Sequence, residues 1–406
     1  MRGAEIVERV AELGRHSDSP EHYTRTLFTA AHQAAAGQIA RWMLEAGMAV
    51  RVDGVGNVIG RYEGAKGDAK TLLMGSHFDS VRNGGKFDGV LGILVPIACI
   101  AELNARGERL AVALEVAGFS DEEGARFQTS FLSSRALIGR FDPEVLQRRD
   151  AEGVSLADAM RDAGLDPATA SQAALDPSRL AAYLELHIEQ GPVLLDAGKA
   201  LGVVTSIASG IRYLVRVRGE AGHAGTVPMS RRRDALAAAA EMVLAVEAQC
   251  AAIDSAVGTV GMLKVKDGTG NVIPGEVEFT VDVRAPDDAR RHRAEAAVLK
   301  ELERIAKRRG VQVEPERGPH DVKGVPCAPW LQDRLAASIE RCVGSKALRL
   351  PSGAGHDAMI LAQVTDVGML FVRCGAGGVS HNPAETVTAE DAGLAADVLL
   401  DFLRHF

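Results

Sequence analysis

Four short apolar runs constrain this chain most: TLLMG (71–75), LAVALEVA (110–117), AAYLEL (181–186) and VGMLFV (367–372). Each has the length of a buried strand and is too short for a helix of ordinary size. They alternate with amphipathic or Ala-rich stretches near 28–47, 88–105, 328–342 and 387–403, which read as helices. Strands separated by helices predict an α/β layer on a largely parallel sheet.

Between these blocks the texture changes. Residues 211–219 (IRYLVRVRG), 256–265 (AVGTVGMLKV) and 276–284 (EVEFTVDVR) alternate with the two-residue period of half-exposed strands, and helical stretches at 232–250 and 287–309 separate them. This predicts a smaller α+β insert at 210–324, of about 110 residues, a size typical of a domain. The outer domain is then discontinuous, 1–209 with 325–406. The glycine string Gly54-Val55-Gly56-Asn57-Val58-Ile59-Gly60 misses the dinucleotide fingerprint by one position and reads as a tight hairpin turn.

Composition removes several functions. A net charge of −8 argues against a phosphate-backbone binder, so no nucleic-acid partner is expected. The longest apolar stretch, 89–101, contains Pro96 and is too short to span a bilayer, so no membrane association is expected. The chain opens polar (Met1, Arg2, Gly3, Ala4, Glu5) and lacks the apolar core of a signal peptide. The five cysteines (Cys99, Cys250, Cys327, Cys342, Cys374) are odd in number, far apart and form no CxxC pair. They predict reduced thiols in a cytoplasmic protein and leave no thiolate zinc site.

The chemistry gathers where the apolar runs end. TLLMGS leads into His77, Phe78 and Asp79, and LAVALEVAGFS into Asp121, Glu122 and Glu123. AAYLEL leads into His187 and Glu189, and VGMLFVRCGAGGVS into His381. Ligands of open α/β sheets bind beyond the carboxyl ends of strands. Asp88 joins them from the glycine-rich turn Gly84–Gly89. Taken singly, Asp88 reads as a helix N-cap, the Glu122–Glu123 pair as a solvated loop, and each histidine as a satisfied polar group. Taken together, adjacent carboxylates beside three imidazoles repel and perturb one another unless a cation neutralises them. Mixed His/Asp/Glu ligation suits Zn²⁺, Mn²⁺ or Co²⁺ rather than Ca²⁺. One bridging carboxylate with two ligands on each side makes a two-metal site, with ions about 3.5–4 Å apart. No HExxH, GxSxG or Walker motif competes with this reading.

Eight segments carry a resemblance: MGSHFDSVRNGGKFDGVLG (74–92), FSDEEGARF (119–127), ELHIEQGPVL (185–194), GHAGTVPM (222–229), GNVIPG (270–275), DVRAP (282–286), PSGAGHDA (351–358) and SHNPAE (380–385). In these the chain resembles the hydantoinase/carbamoylase amidases of the M20-type metallopeptidase superfamily. That group includes N-carbamoyl-L-amino-acid hydrolases, allantoate amidohydrolases and β-ureidopropionases. The resemblance implies two divalent ions per subunit (Zn, or Mn/Co) held by His77, Asp88, Glu123, His187 and His381, with Asp88 bridging. It implies Glu122 as general base and Asp79 as a carboxylate that orients ligands or base. It also implies that the outer domain is the dinuclear-metal catalytic domain and the insert a lid and dimerisation domain.

The same resemblance implies that Gln190, Arg212, His223, Asn271, Arg284 and His356 contact a small ureido or carbamoyl carboxylate. His223 would stabilise the oxyanion across a homodimer interface, and Arg284 would clamp the substrate carboxylate. Without the resemblance, Arg284 reads as a surface ion pair and His223 as an exposed loop histidine. His16, His22, His32, His292, His320 and His405 match no motif. The expected activity is hydrolysis of N-carbamoyl-L-amino acids, with allantoate as the alternative substrate. GAGHDA and SHNPAE lean toward allantoate; Gly210-Ile211-Arg212 departs from the polar pattern expected for it, although Arg212 and Tyr213 fit. A catalytically silent binding protein should have lost a ligand or the base, and none is missing here. A true aminopeptidase is disfavoured by HIEQGP and by the Arg284 clamp.

Overall fold

The structure is a computed structural model that describes residues 3–406, apart from the side chains of Pro319 and His320. Met1 and Arg2 of the polar start, and the His320 side chain, therefore lie outside the described residues. The chain divides into two compact units: the first comprises residues up to Thr205 with Cys327–Leu350 and Gly355–Phe406, the second Ser206–Pro326 with Pro351–Ala354. The loop Pro351–Ala354, read from sequence as part of the outer domain, groups with the second unit. There Arg284 donates from Nη1 to the carbonyl of Gly353 at 3.0 Å.

The first unit is built on a sheet whose four central strands run parallel, in the order Ala113–Phe119, Thr71–His77, Leu180–Ile188, Val367–Val372. Antiparallel strands flank them: the hairpin Ala49–Val52/Val58–Tyr62 on one side and Leu201–Ile207 on the other. The glycine string forms the hairpin loop, where the Asp53 carboxylate accepts the backbone N–H groups of Val55 and Asn57. Every residue of Thr71–His77 is buried, as a strand with helices on both faces requires.

The helix Leu91–Ala105 packs on this sheet. It is apolar on all sides, with Leu91 to Ile100 buried without a break, so it is a core helix rather than an amphipathic one. Burying one Leu or Ile side chain is worth about 1.5–3 kcal/mol, so this contact contributes heavily to the core. Its start approaches the strands closely: a Cβ on Gly92 would lie 2.1 Å from the carbonyl oxygen of Leu186 and 2.7 Å from the Ser76 Cβ.

The second unit carries the long antiparallel strands Ser209–Arg218, Glu276–Ala285 and Gln312–Val322, packed against helices Ala235–Ala251 and Asp288–Arg309. The single strand expected at 256–265 is two short ones, Val257–Thr259 and Leu263–Val265, both paired to Glu276–Ala285. Their registers (Thr259↔Asp282, Leu263↔Phe279) differ by one residue, and the Thr280 hydroxyl accepts the N–H of Met262 across the break. The alternating pattern survives such a bulge, so periodicity alone does not reveal it.

Among the described residues no helix is long and apolar enough to cross a membrane, and all five cysteines are free. Gly92→Ala tests the seating of the core helix. The added methyl must push helix from sheet, and we expect a loss of about 1–3 kcal/mol in urea unfolding. An unchanged midpoint would show that the helix start is not tightly seated.

Candidate metal centre

The parallel register brings the strand ends together. His77 pairs with Phe119 at the ends of neighbouring strands, so the residues that follow, Phe78–Asp79 and Ser120–Glu123, emerge side by side. On the other flank Met74 pairs with Leu184; three residues further along are His77 and His187, whose ring centroids lie 5.8 Å apart. Asp79 links the first two ends. Its Oδ1 and Oδ2 accept the backbone N–H groups of Glu122 and Glu123 at 3.0 and 3.1 Å. The His77 Nδ1 faces the Asp79 carbonyl at 3.1 Å, so Nδ1 carries the proton and Nε2 keeps a lone pair in the neutral ring.

Asp88 sits at the middle of the cluster and caps no helix: the following helix starts after Val90 without a side-chain cap. Its Oδ1 lies 3.3 Å from His187 Nε2 and 3.8 Å from His77 Nε2, and its Oδ2 lies 3.1 Å from His381 Nε2. His381 Nε2 also approaches Glu123 Oε1 at 3.4 Å. Two groups with ligand atoms within 4.8 Å of one another therefore share Asp88: His77–Asp88–His187 and Asp88–Glu123–His381. A third, His77–Glu122–Glu123, brings Glu122 to the same place. Gln190 and His381 both have positive φ, +57 and +53, which non-glycine residues seldom adopt. The Gln190 amide donates to Asp88 Oδ1 at 3.2 Å.

The electrostatics suit a cation. The buried Glu123 Oε1 and His187 Nε2 have no hydrogen-bond partner, which is costly for polar atoms out of water. Burial and the Asp88 carboxylate push Glu123 up to about 7. Burial and the neighbouring Glu123 raise Glu122 well above the usual carboxylate range. Burial lowers His187 to about 4. Burial opposes the charged form of His77, but the hydrogen bond and charge of Asp79 outweigh it and hold the ring well above its ordinary value. The hydrogen bond to Asp88 lifts His381 to about 9. A divalent ion ligated by these atoms relieves both the repulsion and the orphaned lone pairs, so the donor set fits such an ion.

The other expected site residues are divided between the two units. His356 is buried edge-on to His187, with centroids 4.5 Å apart, and forms a further group with His187 and Glu185. In the second unit, Asp282 binds both arginines: Arg284 through Nε (2.9 Å) and Nη2 (3.2 Å), and Arg212 through Nε (2.7 Å). The three line a pocket of about 590 Å³ with Tyr213, Thr259 and Thr280. His223 and Asn271 share a two-stranded ribbon, Gly222–His223 against Val272–Ile273, where the Ala224 N–H donates to the Asn271 carbonyl. The Gly225 N–H donates to His223 Nδ1 at 3.0 Å, so the neutral ring carries its proton on Nε2.

Several supporting residues have roles that the sequence did not show. Glu189, at the end of a strand, turns away and accepts the N–H groups of Val193 and Leu194. His32, which matches no motif, holds the carbonyl of Ser120 through Nε2 at 2.9 Å and stacks on Phe78. Asn57 accepts the Ser120 N–H and donates to the Ser133 carbonyl, fixing the same loop. Glu385 stood in a quoted motif without a role.

Ligands must be deprotonated to bind a cation. With Glu123 near 7 and His381 near 9, metal uptake at pH 7 should release protons, and affinity should climb as pH rises through this range, with His77 adding to the dependence because Asp79 holds it above its ordinary value. Calorimetric titration in buffers of different ionisation enthalpy reads this directly. A heat independent of buffer would remove these two side chains from the ligand set.

The family model described as peptidase family M20/M25/M40 matches residues 71–405. The chain is 44% identical over 400 residues to an N-carbamoyl-L-amino acid amidohydrolase of Geobacillus stearothermophilus, covering 98% of this chain and 97% of that protein. It is 40% identical over 431 residues to allantoate deiminase 2 of Glycine max, covering 99% and 89%. Among solved structures, an amidase of the hydantoinase/carbamoylase family from Burkholderia multivorans aligns with a TM-score of 0.92 at 36% identity, covering 99% and 97%. The protein belongs to the M20/M25/M40 peptidase family, and within it to the hydantoinase/carbamoylase amidases, hydrolases of carbon–nitrogen bonds in linear amides.

Proposed function

We propose that this amidase is an N-carbamoyl-L-amino-acid hydrolase with two divalent ions per subunit, releasing the amino acid, carbon dioxide and ammonia. The observation that carries the reading is the pair of ligand groups sharing Asp88, with Glu122 beside them. His77 and His187 would serve one ion, Glu123 and His381 the other, and Asp88 both. When bound, such ions supply Lewis acidity toward a carbonyl and acidify water.

The side chains do the rest. Glu122 takes a proton from the attacking water and returns it to the leaving nitrogen. Asp79 holds the Glu122 and Glu123 amides so that this carboxylate stays aimed. In this reading His223, with its proton on Nε2, donates to the carbonyl oxygen as negative charge develops there. Arg284 binds the substrate carboxylate, and Asp282 holds its guanidinium flat until that carboxylate arrives. Gln190, Arg212 and Asn271 complete the substrate contacts. The products are the amino acid and carbamate, which decomposes to carbon dioxide and ammonia.

Identity over nearly the whole chain to the Geobacillus enzyme supports this substrate. Allantoate is the second reading, supported by the soybean relative and by the GAGHDA and SHNPAE turns. Ammonia release from N-carbamoyl-L-amino acids, β-ureidopropionate and allantoate, on protein reloaded separately with Zn²⁺, Mn²⁺ and Co²⁺, decides between them. The carbamoyl amino acids should turn over fastest, and Glu122→Gln should lose roughly a hundredfold or more of that rate while retaining its metal. Turnover confined to allantoate would overturn the substrate assignment, and loss of metal would make Glu122 a ligand.

His223 lies on an exposed ribbon, and we assign it to the site of a partner subunit in a homodimer. Mixing inactive His223→Ala and Glu122→Gln proteins should then restore activity, because mixed dimers contain one site with both residues intact. No recovery after confirmed subunit exchange would confine the site to one chain.

A further inference from the structure

Outside the proposed ligands and base, one buried carboxylate touches both loops that carry Asp88 and His381. Glu385 is 4% exposed. Its Oε1 accepts the backbone N–H groups of Phe87 at 2.9 Å and Asp88 at 3.0 Å, and its Oε2 accepts the Ser380 hydroxyl at 2.6 Å. We propose that Glu385 is a positioning residue for metal binding: it locks the turn that presents Asp88 to the loop that presents His381, and so sets the spacing between two ligands nearly 300 positions apart. The proposal rests on the metal-centre reading above and goes beyond it by naming a residue that touches neither ion nor substrate.

The geometry favours this role over simple capping of a turn. A water molecule or a serine hydroxyl could satisfy either amide alone, but one carboxylate binding both loops makes their separation a single rigid distance. Apart from it, the turn 84–89 and the loop around His381 also meet where Asp88 Oδ2 lies 3.1 Å from His381 Nε2. A second carboxylate close to Asp88 also adds negative potential at short range, which favours a bound cation. The chain also leaves room for this carboxylate: a Cβ on Gly85 would fall 2.1–2.4 Å from the Glu385 carboxyl atoms. Gly85→Ala therefore displaces the carboxylate without removing it. Glu385→Gln keeps an oxygen for the two amides and an amide group that can donate to Ser380.

The test compares wild type with Glu385→Ala, Glu385→Gln and Gly85→Ala, using Co²⁺ as the probe. Affinity is read by competition with a chromophoric chelator, ligand geometry by the visible Co²⁺ spectrum, and the metal-free fold by thermal melting. Glu385→Ala and Gly85→Ala should each weaken Co²⁺ binding roughly tenfold to a hundredfold and alter the spectrum, with metal-free melting close to wild type. Glu385→Gln should recover most of the affinity. Wild-type affinity and spectrum in Gly85→Ala or in a folded Glu385→Ala overturns the proposal. So does a melting loss with no change in Co²⁺ spectrum, which marks a purely structural residue. If Glu385→Ala does not fold, Gly85→Ala and Glu385→Gln decide by the same criteria. Wild-type protein that binds no Co²⁺ instead sinks the metal-centre reading, and this proposal with it.

Discussion

The Asp79 carboxylate, buried and shared between the backbone amides of Glu122 and Glu123, is the contact on which the site depends. Two parallel strands bring His77 and the Asp121–Glu123 loop to one sheet edge, but strand pairing ends at His77 and Phe119. Beyond those residues the ladder exerts no hold on the chain. Asp79 replaces it with two charge-assisted hydrogen bonds, which are stronger than neutral ones. His32 and Asn57 then hold Ser120 from behind. A loop fixed at Ser120, Glu122 and Glu123 can aim two acidic side chains at one point despite their repulsion.

That repulsion is the counterpart of the function. Asp88, Glu122 and Glu123 lie with buried His77 and His187 and the more exposed His381, and burial and mutual charge move most of these groups from their ordinary values. Such an arrangement is a poor way to stabilise a metal-free fold, since buried charges are rarely worth their desolvation. It is well suited to capturing a divalent cation. Stability must come from elsewhere, chiefly the apolar helix Leu91–Ala105 and the strands beneath it. Gly92, at the start of that helix, permits near-contact with the strands bearing His77 and His187, and so places the preceding turn, with Asp88, above their ends.

Much of this was legible in the chain. The apolar runs located all four central strands, although one is displaced from 110–117 to Ala113–Phe119. The motifs at the strand ends named the residues of the cluster. Strands with weaker patterns were missed: Ala49–Val52 and Val58–Tyr62, of whose hairpin only the turn was read, and Leu201–Ile207 and Gln312–Val322. The first of these is exposed on both faces at positions 49, 51 and 52, so it lacks the alternation that marks a half-buried strand. Arg284 forms the ion pair, with Asp282, that its residue type alone suggests, and it also lines a pocket.

The sequence by itself determined which residue types stand at the ends of buried strands, and through its motifs the family, because hydrophobic runs and motif spacing are local properties of the chain. Only the tertiary structure decided which side chains meet. Glu189 and Glu385 are both buried acids in quoted motifs, yet one caps the next turn while the other joins loops nearly 300 residues apart. The difference lies in contacts between segments distant in sequence, and those exist only once the sheet has assembled and its strand ends have converged.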